Sequence, residues 1–178
     1  NIVALFRCFF LLKNLSRERE IARVLIKNKL KLTTAESCTG GLLSSFLTDV
    51  SGSSEYIKAN FVTYSNEAKK HYLSVNTEIL DEYGAVSPQT AEAMVDGLLK
   101  NTDADYAVAT TGIAGPTGGS PEKPVGLVFI ATGNRNRIVV KQYNVNPLTS
   151  RRLVKVRFAK EALRQLVEFL KENEKCTN

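Results

Sequence analysis

The sequence predicts an α/β domain of three layers, with helices on both faces of a mixed sheet. Two observations predict it. Through the early part of the chain, short apolar runs alternate with helical patterns, as in strands joined by crossover helices. Later, two apolar runs are joined by Gly133-Asn134-Arg135-Asn136, a hairpin-type connection that adds an antiparallel pair. The chain has 178 residues, 43% hydrophobic and 24% charged, which suits one globular domain with its own core.

The elements follow in order. Ser16 stands where a helix cap belongs, before a helix to about Lys29 that places Ile21, Val24 and Leu25 on one face. Leu30 to Ala35 reads as a strand, Glu36 to Gly41 as a turn, and Leu42 to Thr48 as the next helix. Asn60 to Tyr64 reads as a second strand, followed by a helix capped by Ser65 or Asn66 and carrying Lys69. A short helix starts near Thr77 and stops at Gly84. Ser87-Pro88 combines a cap with proline at the first helical position, and that helix reaches about Lys100. Tyr106 to Thr110 is a buried-type strand, Gly112 to Pro124 a Gly/Pro-rich loop, and Val125–Thr132 and Ile138–Asn144 the hairpin strands. A long last helix runs from Thr149 or Ser150 to about Glu174.

Composition narrows the chemistry. The three cysteines, Cys8, Cys38 and Cys176, are widely spaced and odd in number, so a reducing cytoplasm is the expected setting. His71 is the single histidine, which excludes a His-rich metal site and forces any Ser-His-Asp triad to use it. The net charge of +6 is spread along the chain among acids, as on a solvated surface; a site for an anionic small molecule is the next reading. The apolar run Ile2–Leu12 is shorter than the roughly 20 residues that span a bilayer. It lacks the small-residue cleavage site of a signal peptide, so it is expected to pack as a strand or helix.

Ligands of open α/β sheets bind beyond the carboxyl ends of the strands. Three segments are expected there. In Glu36-Ser37-Cys38-Thr39-Gly40-Gly41, Ser37 lies on a strand-to-helix turn whose glycines let main-chain N–H groups approach an oxyanion or a phosphate. The structural alternative is a tight turn with Ser37 and Thr39 as caps. Tyr64 to Lys69 puts a phenol and an amine near another strand end, with Tyr64 placed to relay a proton or fix the geometry of Lys69. Serine needs a base, and with histidine so scarce a lysine of depressed pKa is the natural one, although Lys69 also suits an ordinary exposed helix position. Gly112-Ile113-Ala114-Gly115-Pro116-Thr117-Gly118-Gly119 is glycine-dense enough for close contact with a ligand, or for a flexible turn. It matches neither the P-loop nor the dinucleotide fingerprint. A rival nucleophile is Cys38, because Glu36, Lys69 and Cys38 are the residue types of a Glu-Lys-Cys amidase triad.

Together, Thr34–Gly41, Val62–Lys69, Gly84–Ser87, Thr111–Pro116 and Pro121–Gly126 resemble the C-terminal domain of the CinA competence/damage-inducible proteins and the related nicotinamide-nucleotide amidohydrolases. The resemblance runs from about Ser16 into the last helix. It implies a three-layer α/β/α sandwich with a five-stranded mixed sheet, one strand antiparallel. It implies hydrolysis of the carboxamide of nicotinamide mononucleotide (NMN) to nicotinic acid mononucleotide and ammonia, by a homodimer that needs no metal or other cofactor. The family's serine, tyrosine and lysine fall on Ser37, Tyr64 and Lys69. Substrate contacts fall on Thr39, Gly40, Gly41, Gly112, Ile113, Ala114, Gly115 and Arg151. Arg151 is the candidate for the phosphate, within Thr149-Ser150-Arg151 where relatives have a Gly-Asp/Asn-Arg motif; the alternative is an exposed residue at a helix start.

The resemblance divides the chain into an amidohydrolase-like domain, residues 15–178, and a linker or remnant of a preceding domain, residues 1–14. Two further readings remain. One is a catalytically silent dimerisation or regulatory module. The other is nucleic-acid binding through Arg151, Arg152, Lys155, Arg157, Lys160 and Arg164, although Leu153, Val156, Leu163 and Leu166 among them suit an ordinary amphipathic helix. Neither nucleic acid nor membrane is an expected partner.

Overall fold

The computed structural model describes residues 16–176. Ile2–Leu12, Cys8 and the expected linker 1–14 lie outside them. Before the central strand come α1 (Arg17–Lys27), β1 (Leu32–Glu36), α2 (Leu42–Thr48), a 3-10 turn (Ser53–Glu55), β2 (Ile57–Val62), α3 (Asn66–Leu73), α4 (Thr77–Tyr83) and α5 (Pro88–Asn101). There follow β3 (Tyr106–Gly112), β4 (Leu127–Asn134), β5 (Arg137–Asn144) and α6 (Arg151–Cys176). The strands form one sheet in the order β2-β1-β3-β4-β5. β1 is parallel to β2 and β3, whereas β4 is antiparallel to both β3 and β5. β4 therefore runs against the other four strands.

Side chains alternate across a strand, so each face of the sheet collects its own core. On one face Leu32, Val108 and Ile130 meet Ile21 and Leu25 of α1, Leu43 and Leu47 of α2, and Phe158 and Leu166 of α6. On the other, Ala35, Ala107 and Phe129 meet Leu73 of α3, Leu80 of α4, and Met94 and Leu98 of α5. Truncating any fully buried leucine here is expected to cost about 2–5 kcal/mol. The polar Gln165 of α6 is buried in the first core, where its amide donates to the carbonyls of Ile130 and Val139 and accepts from the Tyr143 hydroxyl. A buried polar group is tolerated when its bonds are made.

Most expected boundaries hold to within two residues. β2 starts three residues before the expected Asn60, because its partly exposed edge position weakens the apolar signal that marks a strand. Ser16 occupies the cap of α1 but its side chain makes no capping bond. Ser65, Asn76 and Ser87 do cap, accepting from the N–H groups of Ala68, Glu78 and Thr90. The hairpin turn is tighter than Gly133–Asn136. Asn134 pairs with Arg137, and its side-chain oxygen accepts the N–H groups of Asn136 and Arg137. Leu153, expected on the apolar face of the last helix, is 51% exposed.

Candidate active site

Because β1, β2 and β3 are parallel, their carboxyl ends lie at one edge of the sheet. Ser37 follows β1 there, Tyr64 and Lys69 follow β2, and the glycine-rich loop follows β3. The turn after β1 is held by its first residue. Glu36 is fully buried, and its carboxylate accepts the N–H groups of Gly41 (2.9 Å), Leu43 (3.1 Å) and Ser44 (2.8 Å) and the Ser44 hydroxyl (2.5 Å). This ties strand to helix and fixes Ser37 between them, with the Ser37 N–H donating to Thr110 O at 3.0 Å. Gly40 and Gly41 both have positive φ, +59° and +96°, which admits glycine and penalises side chains. Thr39 is buried, its hydroxyl 2.8 Å from that of Thr110. Gly41 spends its N–H on Glu36. Among the described residues the N–H groups of Thr39 and Gly40 have no acceptor.

Lys69 projects from α3 into this turn and is 1% exposed. Its Nζ contacts Thr63 O at 2.9 Å, Ser37 Oγ at 3.2 Å and Tyr64 O at 3.4 Å. Two of these three neighbours only accept, and the third both donates and accepts. As it stands Nζ donates to all three oxygens, and because the Ser37 hydroxyl can also donate, the same contact can pass the Ser37 proton to the amine once that amine is neutral. Burial pushes the Lys69 pKa down, with the Cys38 sulphur and the Glu67 carboxylate acting against that shift. The ordinary exposed lysine is thereby excluded.

Tyr64 differs from expectation in one respect. It meets Lys69 through its main-chain carbonyl, while its exposed phenol oxygen accepts from Arg151 Nη2 at 2.9 Å. Arg151 opens α6 and also donates through Nη1 to Gly115 O at 2.5 Å. One guanidinium thus joins the loop after β2, the loop after β3 and the last helix.

The rival nucleophile is disfavoured. Cys38 is 5% exposed, and burial raises its pKa to about 12, so the thiol stays protonated at neutral pH. Glu36 is committed to α2. His71 lies on the exposed side of α3, its ring edge-on to Tyr72. The glycine-rich loop also answers to packing. A Cβ on Gly112 would lie 2.5 Å from Leu127 O, so the β3–β4 approach itself demands glycine. The Ile113 N–H and carbonyl are bonded to Leu127 O and the Gly126 N–H, and Ala114 is buried in the core. Of this loop, Gly115 is the residue joined to the serine–lysine site, through Arg151. A groove of about 680 Å³ on the α5 side, lined by Tyr83, Ser87, Lys123 and Phe129 among others, includes none of Ser37, Tyr64 and Lys69.

Lys155 was not singled out for this site by its position in the sequence. Its ammonium lies 3.1 Å from where a Cβ on Gly40 would stand. The available signal was its spacing: four residues after Arg151 places it on the same side of α6, one turn on.

The model of the CinA C-terminal domain matches residues 14–170. The chain belongs to this family. A CinA-like protein of Chlorobium chlorochromatii is 46% identical over 162 residues, 91% of this chain and 38% of that protein. A CinA-like protein of Thermotoga neapolitana is 46% identical over 155 residues, 87% of this chain and 37% of its own length. The chain thus spans well under half the length of these CinA relatives. Among solved structures, the competence/damage inducible protein of Agrobacterium tumefaciens superposes with a TM-score of 0.80 at 43% identity, covering 88% of this chain and 97% of that one. The competence damage-inducible protein A of Klebsiella pneumoniae gives 0.82 at 35% identity, covering 87% and 95%. The three-layer fold with its mixed five-stranded sheet is shared with these CinA-type neighbours. No described helix is long and apolar enough to cross a membrane.

Proposed function

We propose that this CinA-family domain is a serine amidohydrolase that converts NMN to nicotinic acid mononucleotide and ammonia. The observation that carries the reading is the Ser37–Lys69 contact, a half-buried hydroxyl 3.2 Å from a buried amine whose pKa is lowered. A hydroxyl is a weak nucleophile without a base in reach, and an amine whose pKa is lowered by burial gives up its proton more readily and can supply one.

Neutral Lys69 takes the Ser37 proton as Oγ attacks the carboxamide carbon. The negative charge on the carboxamide oxygen is met by the Thr39 and Gly40 N–H groups, two of the donors on this turn that Glu36 does not take. The Lys69 ammonium returns its proton to the departing nitrogen, and the C–N bond breaks to release ammonia. Water then gives a proton to Lys69 and attacks the Ser37 ester. The C–O bond breaks, the Lys69 ammonium returns that proton to Ser37, and the carboxylic acid leaves, giving its own proton to water. Thr63 O and Tyr64 O hold the Lys69 nitrogen in place through both steps. The Tyr64 phenol and the side chain of Val62, both exposed beside the turn, offer a flank for a flat heteroaromatic ring. The reading includes a homodimer, which light scattering on the purified chain tests.

The deciding assay is ammonia release from NMN by the purified chain in the presence of EDTA, beside Ser37→Ala and Cys38→Ala. Activity that survives EDTA and Cys38→Ala and disappears with Ser37→Ala supports the proposal. A folded chain that releases no ammonia from NMN sinks it.

A further inference from the structure

We infer that Lys155 is the residue that grips the anionic end of the substrate, and that Arg151 braces the site instead; this rests on the amidohydrolase reading above. The two cations sit one turn apart on α6 yet differ in their commitments. Arg151 is bonded to Gly115 O and the Tyr64 phenol, contacts that hold two loops together. Lys155 is half-buried and has no ion pair or hydrogen bond among the described residues. Elsewhere on the same helix Arg164 pairs with Glu161 and Glu168, and Lys171 with Glu20. A partly desolvated ammonium without a counter-charge is costly unless an anion meets it.

Its position says where that anion belongs. The Lys155 Nζ lies against Gly40, at 3.1 Å from the Cβ position, where the backbone is left-handed and any larger residue would press on the amine. Gly40 is exposed and Ser37 half-buried, so the turn rises from the nucleophile to a rim, and Lys155 stands at the rim. A phosphomonoester joined through a sugar to a carboxamide ring carries its anion and its reacting carbon at opposite ends, one for the rim and one for the nucleophile. The chemistry recognised is a terminal phosphate, bound by one ammonium beside an open main-chain turn.

The experiment compares the whole chain with Lys155→Gln, Lys155→Arg and Arg151→Gln. With NMN, Lys155→Gln is expected to raise KM about 10- to 100-fold, the worth of one charge-assisted phosphate contact, with kcat changed far less. Lys155→Arg recovers most of that loss. Arg151→Gln lowers kcat more than it raises KM. The reverse split, or a Lys155→Gln enzyme with wild-type KM, overturns the assignment. Calorimetric titration with ribose 5-phosphate is read separately and needs no turnover. Binding to the wild-type chain that is lost in Lys155→Gln supports the anion site even where NMN yields no ammonia. No binding to the wild type, or equal binding to both, overturns it.

Discussion

The amine of Lys69 lies 3.2 Å from the hydroxyl of Ser37, across 32 residues of sequence and two strands of the sheet. Its depressed pKa sets the pH dependence. The free amine is the active form, so kcat/KM is expected to rise with pH, with an apparent pKa below the usual lysine value of about 10.4. A profile governed by an unshifted lysine, or flat from pH 6 to 10, would contradict the role of Lys69 as base.

Stability carries the same signature. A lysine whose folded pKa is lowered holds fewer protons when folded than unfolded, between the lowered value and about 10.4. Stability therefore gains as pH rises through that window. Lys69→Met keeps the volume and removes the titration. It is expected to lose this pH-dependent gain, to abolish ammonia release, and to stay within about 1 kcal/mol of wild type at pH 7, because relief of amine desolvation opposes the loss of the carbonyl bonds. Urea unfolding at pH 7 and pH 10 measures it.

Glu36→Gln tests the buried carboxylate. Four donors converge on its two oxygens, and an amide has one acceptor oxygen to offer. A loss of about 2–4 kcal/mol is expected, read as a lower urea midpoint with unchanged slope. Because Ser37 is the next residue, activity should fall as well, by mispositioning.

Arg151→Gln removes the bonds to Gly115 and Tyr64. Amide exchange is expected to quicken in the loop around Gly115 while the core strand β3 keeps its protection. Hydrogen-exchange mass spectrometry reads this directly, and equal protection in variant and wild type would show that the arginine does not brace the loop.

Cys38→Ala should keep ammonia release and cost about 1 kcal/mol from lost packing. In the native wild type, a buried thiol with pKa near 12 should react with iodoacetamide only on unfolding. Rapid labelling of Cys38 at neutral pH with parallel loss of activity would return the thiol to contention.

Local signals were legible where a residue type dictates a backbone choice. Ser87-Pro88 opens α5, Ser65 caps α3, and the alternation of apolar runs with helical patterns led to the right layers. Less legible were features set by distant neighbours. The glycine density of residues 112–119 suggested a ligand, yet Gly112 answers to the backbone of β4. The phenol of Tyr64 was expected to act with Lys69, yet it turns to Arg151, 87 residues away.

The sequence by itself determined the order and type of the elements, the three segments at the carboxyl edge of the sheet, and the family to which they belong, because turn chemistry and apolar periodicity are local properties. Tertiary structure alone decided that Lys69 is buried, that Glu36 serves the turn, that Cys38 is sealed in the core, and that Lys155 stands over Gly40 without a partner among the described residues. Burial and charge pairing are properties of the space around a side chain, and that space is filled by residues remote in the chain.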